Sequence, residues 1–355
     1  MHELVNLYGH TRDQLEAMFV SQGQQAFRGR QLMKWIYHDG VTDFSAMTDL
    51  PLDTRKWLVM SAQLEVPKVV SQERSSDGTV KWAVQVNQDE FVETVLIPEK
   101  GRNTLCVSSQ VGCSLDCSFC ATGKQGFNGN LSAEEIVGQL LLANDYLSDR
   151  DESVTNVVFM GMGEPLLNIR NVLDSIECLT NDIGIGQRKI TVSTVGIPNT
   201  LSDLAKLAQD RLGRVKFTLA VSLHAPNQTL RELIIPSASS YPINSLLKDC
   251  RTYIELTGRR VSFEYILLGG LNDKDIHAEQ LADLMRGFQS HVNLIAYNPI
   301  AEENFKRPSQ SRVNSFRELL ENKGVAVSVR ASRGRDKDAA CGQLRRQTID
   351  KIKIN

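Results

Sequence analysis

The residues most able to do chemistry stand in "QVGCSLDCSFCATG", where Cys113, Cys117 and Cys120 are three of the chain's seven cysteines. Thiolates at Cys-x3-Cys-x2-Cys spacing are compact enough to serve one metal centre. Such a set can hold three irons of a [4Fe-4S] cluster and leave the fourth iron open to a small molecule. A structural zinc site takes four ligands, and no fourth Cys or His lies nearby in the sequence, so zinc would need a distant one. Reactive thiols without metal are a third reading.

Further along, "NVVFMGMGEPLLN" carries Gly163 and Glu164. Glycine there lets backbone approach a ligand closely, and a carboxylate can accept from a cationic amine; a plain strand-to-helix turn is the alternative. Ser193, then Ser222, Leu223 and His224 in "SLHAP", and Asn298 in "AYNP" end later strand-like runs. Each polar one is equally suited to a cap or turn, and the Asn298 amide can also read a nucleoside edge. Cys106 fits a buried strand position and Cys178 and Cys250 fit helical core positions, as small apolar side chains.

The elements that must position these residues follow from periodicity. "TRDQLEAMFVSQG" and "RGRQLMKWIYHDG" have apolar residues at helical spacing, and each ends at Gly. Residues 68–101 read as a small antiparallel strand set, with "SSDG" as a hairpin turn. From residue 104 onward, apolar strands ("TLCVSSQ", "NVVFMGM", "KITVSTV", "FTLAVSL", "SFEYILLGG", "VNLIAYNP", "VAVSVRA") alternate with helices. One of these helices opens at the Ser132-x-x-Glu135 capping box. Repeated β-α units with near-continuous apolar strands predict an α/β fold, a parallel sheet or incomplete barrel with helices outside. Chemistry in such folds gathers at the C-terminal ends of the strands, where the cysteine loop and the other candidates lie.

At 355 residues the chain has room for about two domains on a prior of roughly 150 residues each, and it needs no disulfide staples. No apolar run approaches the ~20 residues of a membrane span, and "MHELVNLYGH" lacks the pattern of a secretory signal. An odd cysteine count in that setting points to a reducing cytosol. The net charge of −2 does not advertise a polyanion partner. Basic residues nevertheless gather at Arg330, Arg333, Arg335, Lys337, Arg345 and Arg346, and at Arg28, Arg30 and Lys34. Each set is a solvated face unless a phosphate-bearing substrate is implied elsewhere.

Together, "FRGRQLMKWIY", "FVETVLIP", "CVSSQVGCSLDCSFCATGKQGF", "FMGMGEP", "SLHAP", "YNP" and "DAACGQL" resemble the radical S-adenosylmethionine (SAM) superfamily. Within it they resemble the RlmN/Cfr family of RNA adenine methyltransferases, over nearly the whole chain and in order. The resemblance implies a partial (β/α)6 radical SAM barrel over 91–335, an N-terminal helical/β accessory RNA-binding domain over 1–90, and a C-terminal segment over 336–355. It implies one [4Fe-4S] cluster on Cys113, Cys117 and Cys120, and a SAM pocket made by Gly163, Glu164, Ser193, Ser222, Leu223, His224 and Asn298. Two SAM are consumed per turnover: the first methylates Cys341, and a radical from the second activates that methyl group. Cys106 resolves the Cys341–RNA adduct through a transient disulfide, and Glu93 is the proton acceptor. The implied activity is methylation of adenine carbon 2 in 23S rRNA and tRNA, with a flavodoxin or ferredoxin-type electron donor, in a cytoplasmic monomer with no membrane partner. The alternative is the sister enzyme acting at carbon 8, against which Pro165 and "FRGRQLMKWIY" speak; a zinc-bearing RNA-binding protein is the non-enzymatic rival. Arg335, Lys337 and "IIPSASSYPINSLL" depart from the usual family pattern, away from the implied site residues.

Overall fold

The computed structural model describes residues 4–86 and 90–345. Its N-terminal unit has three short helices, α1 (Arg12–Ser21), α2 (Phe27–Met33) and α3 (Leu52–Ser61), beside a two-residue parallel pair, β1 (Val5–Asn6) and β2 (Ala62–Gln63). A capping box starts α1: the Thr11 hydroxyl accepts from the Gln14 amide while the Gln14 side chain accepts from the Thr11 amide. The apolar residues predicted at helical spacing, among them Leu15, Phe19, Leu32 and Ile36, close with Leu7 and Met47 into a core of their own. This unit rests on the helices of the larger one. Tyr37 accepts from the Gly9 amide at 2.8 Å and hydrogen-bonds Cys178, which explains why that buried cysteine sits in an apolar helix face.

A ten-stranded sheet follows. Its antiparallel part is β3 (Val69–Arg74), β4 (Val80–Gln85) and β5 (Phe91–Glu99), turning at the "SSDG" sequence between β3 and β4. The expected boundary at residue 90 falls between β4 and β5, which pair from Val80–Leu96 to Gln85–Phe91, so sheet hydrogen bonding runs across it. β6 (Arg102–Cys106) opens the parallel part, after which a small hairpin, β7 (Gln110–Gly112) and β8 (Phe127–Asn130), leaves the sheet. The parallel strands resume as β9 (Asn156–Phe159), β10 (Ile190–Thr194), β11 (Thr218–Ser222), β12 (Val261–Leu267), β13 (Ser290–Ala296) and β14 (Val327–Arg330). Between them run α4 (Ala133–Ser148), α5 (Ile169–Asn181), α6 (Thr200–Leu212), α7 (Gln228–Ile234) with α8 (Ile243–Thr257), α9 (Asp275–Met285) and α10 (Gln310–Asn322).

Spatial order in the parallel part is β6, β9, β10, β11, β12, β13, β14, each strand adding at the same edge. Successive helical crossovers of one hand wind such a series into a barrel arc with the helices outside. The apolar strand runs and helix faces form one large core, from Val80 to Leu344. Among the described residues, no helix is long and apolar enough to cross a membrane. The candidate Arg346 lies outside the described residues.

Candidate active site

The three-cysteine loop is the connection between β7 and β8. Gly112, at φ 77°, closes its neck: a Cβ there would lie 1.9 Å from the Gly126 carbonyl, while the Cys113 amide donates to that same oxygen at 2.8 Å. A second closure comes from the Cys120 amide donating to the Cys117 carbonyl at 3.1 Å. Lys124 bridges Asp116 (3.2 Å) and Glu303 (3.0 Å), pinning the loop to the segment after β13. Cys113, Cys117 and Cys120 all line one cleft at the C-terminal ends of the parallel strands. Burial pushes the Cys113 thiol up to about 12 and raises Cys117 and Cys120 as well, and mutual repulsion of Cys117 with its two neighbours adds to this. Three thiolates in this cleft therefore require a positively charged centre beside them, which an iron–sulfur cluster supplies. Thiolates are the donor type such a cluster takes, although among the described residues no three Cys, His, Asp or Glu side chains are arranged to hold a metal ion.

Across the cleft stand the ends of β9, β10 and β11. Gly163, at φ 98°, has no room for a side chain, since a Cβ would meet the Gln110 Cβ at 2.5 Å. The next residue, Glu164, is buried with both oxygens occupied: Oε1 accepts from the Leu166 amide (3.0 Å) and Oε2 from the Val195 amide (2.9 Å). Burial nevertheless pushes its pKa up to about 7, so the carboxylate gains from a cation placed in the cleft. Ser193, Ser222 and His224 line the same space. His224 Nδ1 accepts from the Ile266 amide at 3.0 Å, and burial, aided by the nearby Arg231 charge, lowers its pKa to about 3. The ring is neutral, with Nε2 as its donor. The cleft holds a cavity of about 150 Å³ that opens to solvent at its mouth.

The C-terminal segment closes one side of this cleft. Cys341 lines it together with the three cysteines, and also lines a smaller adjoining cavity with Cys106, Asn298 and Arg330. Cys106 and Cys341 are free thiols. Burial pushes Cys106 up to about 12, and Cys341 adds to this while Arg330 opposes it. The strap is held by the Ala121 amide on the Gly342 carbonyl (2.8 Å), the Thr122 hydroxyl on the Leu344 carbonyl (2.6 Å) and the Asn298 amide on the Cys341 carbonyl (3.4 Å). Its upstream end is tied to the "SSDG" turn, where the Gly334 amide donates to Asp77 (2.9 Å) and the Ser76 amide to Asp336 (3.1 Å).

Two sequence candidates line neither cavity. Leu223 is fully buried and contributes its backbone: its amide donates to the Glu264 carbonyl at 3.0 Å, and its carbonyl accepts from Arg231. Glu93 is buried behind the strap, accepting from the Arg345 amide at 2.8 Å and paired with Lys81 at 3.1 Å. Two functional-looking residues, Arg231 and Lys81, escaped the sequence reading, and a third, Arg330, entered it only as part of a basic patch. Buried Arg231 donates to the Ser222 (2.8 Å), Leu223 and Val195 (2.6 Å) carbonyls, joining the ends of β10 and β11. Arg330 is half-buried, and its charge faces Cys106, Cys341 and Glu264. Lys81 is a buried cation in "VKWAVQV", and that break in an apolar strand was its only signal.

Comparison with known proteins follows the same division. Residues 5–64 match the family model described as the ribosomal RNA large subunit methyltransferase N-terminal domain, and residues 107–282 match the radical SAM superfamily model. A protein of Prochlorococcus marinus (strain NATL2A) is 71% identical over 355 residues, covering 99% of this chain and 97% of its own, and is named "Probable dual-specificity RNA methyltransferase RlmN". A Synechococcus sp. (strain CC9311) protein of the same name is 58% identical over 342 residues, covering 96% of this chain and 98% of its own. The crystal structure of a radical SAM methyltransferase from Sphaerobacter thermophilus superposes with a TM-score of 0.87 at 42% identity, covering 96% of this chain and 99% of that one.

Proposed function

The chain belongs to the RlmN family of radical SAM methyltransferases, and on that footing we propose that it methylates carbon 2 of adenine in 23S rRNA and in tRNA. The observation that carries this reading is that one cleft holds both the three-cysteine loop and Cys341, a thiol outside the Cys-x3-Cys-x2-Cys set. A simple cluster-binding site has no use for that fourth thiol. A methyl carrier has to be there.

In this reading Cys113, Cys117 and Cys120 hold the [4Fe-4S] cluster, and the cleft floor receives SAM. Gly163 gives the SAM amine close access to Glu164, whose desolvated carboxylate is best satisfied by a cation. Ser193, Ser222 and His224 line the pocket, Leu223 shapes it through its backbone, and Asn298 holds the strap at its edge. Bound there, cluster and SAM supply methyl groups and one-electron chemistry, which suits adenine carbon 2 because that carbon is no nucleophile. With two SAM consumed per turnover, Cys341 would be the residue that accepts a methyl group and holds it for activation.

The chain's own residues do the rest. Cys341 carries the methyl group and becomes joined through it to the base. Glu93 takes the proton lost from the base once the strap shifts off its carboxylate. The Cys106 thiol gives up its proton and its sulfur attacks the Cys341 sulfur: an S–S bond forms, the S–C bond breaks with its electron pair going to the product carbon, that carbon takes up a proton to complete the methyl group, and cytosolic thiols reduce the disulfide. Arg330 stands where it can stabilise a thiolate on either sulfur. The N-terminal unit and the basic strap residues engage RNA phosphates, and the target base is unstacked into the cleft. Electrons come from a flavodoxin or ferredoxin-type donor, and the enzyme works as a cytoplasmic monomer.

RNA from a strain lacking the gene, with and without the gene restored, tests the proposal by nucleoside mass spectrometry. 2-Methyladenosine should vanish and return at one 23S rRNA position and beside the tRNA anticodon. 8-Methyladenosine as the restored product would assign the sister activity instead.

A further inference from the structure

Glu93, Lys81 and Glu73 form a line of charge from the interior to solvent. Lys81 Nζ lies 3.1 Å from Glu93 Oε1 and 3.1 Å from Glu73 Oε2. Side-chain exposure rises along the line, from 2% at Glu93 through 8% at Lys81 to 45% at Glu73. Strand pairing builds it. Glu73 is directly opposite Lys81 in the β3–β4 ladder, and Lys81 is opposite Val95 in β4–β5. Glu93, two residues from Val95, is therefore on the same sheet face as a diagonal neighbour.

Lys81 is the kind of residue a strand core excludes, because a desolvated ammonium is unfavourable unless paired. Burial pulls its pKa down, but the two carboxylates outweigh that and raise it overall, so Lys81 stands as an ammonium hydrogen-bonded between two carboxylates. The two oxygens of Glu93 have different partners. Oε2 faces the strap through the Arg345 amide, and Oε1 faces Lys81. A carboxylate so divided can meet a substrate with one oxygen and a proton acceptor with the other.

We propose that Lys81 is a proton-relay residue, moving the proton that Glu93 collects onto Glu73 and so to solvent. This rests on the reading of Glu93 as the proton acceptor. In the step, a Lys81 N–H breaks as an O–H forms on Glu73, and the nitrogen lone pair so released takes the proton of Glu93 as its new O–H breaks. Lys81 ends as the ammonium it began as, Glu93 is again a carboxylate, and Glu73 releases its proton to water. No electrons move. The relay gives the proton an exit along the sheet face to exposed Glu73, by a path that does not run through the cleft.

The test uses the cluster-loaded enzyme with a 23S rRNA transcript under anaerobic single-turnover conditions, following the covalent Cys341–RNA adduct on denaturing gels. Lys81→Arg keeps the ion pair but replaces an exchangeable ammonium with a guanidinium that does not give up its proton. It should load methyl on Cys341 normally, by peptide mass spectrometry, keep its thermal midpoint, and hold the adduct at least tenfold longer. Exposed Glu73→Gln should slow adduct decay several-fold, with added formate restoring it. Wild-type decay in Lys81→Arg or in Glu73→Gln overturns the relay. Wild-type product release from Glu93→Gln instead removes the acceptor reading beneath it, so the two failures are distinguishable.

Discussion

The Ala121 amide donates to the Gly342 carbonyl at 2.8 Å, joining the residue after the third cysteine of the loop to the residue after Cys341. Two segments far apart in sequence are thereby zipped side by side, and the Thr122 hydroxyl on the Leu344 carbonyl adds a second rung. The loop of the proposed cluster ligands thus helps to position the proposed methyl carrier, together with Asn298 on the Cys341 carbonyl.

Thr122→Val tests this coupling. It keeps side-chain volume, removes the hydroxyl and leaves the buried Leu344 carbonyl without that donor, at a local cost of about 1–3 kcal/mol. Amide exchange over residues 339–345 should rise by tenfold or more, and methyl loading of Cys341 should slow. Iron content should stay at the wild-type level. Unchanged exchange in the strap would show that the rung contributes nothing.

The two cysteines flanking the smaller cavity should fail in different ways. Cys106→Ala should still methylate Cys341 and join the RNA, then stall as a covalent protein–RNA adduct visible on a denaturing gel. Cys341→Ala should form no adduct at all. Free methylated RNA from Cys106→Ala at the wild-type rate would remove the resolving role.

Much of this was legible in the sequence, for identifiable reasons. Alternating strand and helix periods disclosed the parallel sheet, because strands buried on both faces are apolar throughout. The cysteine spacing disclosed a compact loop, because residues three and four apart stay near neighbours in a short connection between paired strands. The domain edge was less legible. β3 and β4 carry ordinary antiparallel patterns, and nothing local says that they extend the barrel sheet through β5 instead of closing on the helical unit. Arg231 was hidden because its partners are backbone carbonyls on other strands, which leave no mark of residue type. The covering of Glu93 by the strap was hidden too, since the contact is to a main-chain amide at Arg345.

Asp182 gives a pH prediction at the junction of the two units. It sits just past α5 with a side chain 6% exposed, 3.9 Å from Arg12. Burial raises its pKa from 3.8 to about 6, and Arg12 opposes that only in part. The folded protein therefore binds more protons than the unfolded chain between pH 3.8 and 6, and this group's contribution to stability falls as pH rises through that window. Asp182→Asn escapes the loss. It should match wild type near pH 3.5 and exceed it above pH 6 by roughly 1–3 kcal/mol in urea unfolding. A stability difference independent of pH would refute the assignment.

Arg231 should prove the most sensitive position outside the cleft. Its guanidinium satisfies carbonyls at the ends of both β10 and β11, directly beneath Ser222 and His224. Arg231→Met fills the space but withdraws the donor from three carbonyls, of which Leu223 keeps the Ala225 amide at 2.8 Å, at about 1–3 kcal/mol for each buried acceptor left unmade. Arg231→Lys keeps the charge but lacks the planar fork that reaches two strands at once. Calorimetry should place the thermal midpoints in the order wild type, Arg231→Lys, Arg231→Met. Equilibrium dialysis of SAM should follow the same order, with affinity falling at least tenfold in the methionine variant as the strand ends drift apart. A methionine variant that lost stability but bound SAM as wild type would confine Arg231 to holding the fold.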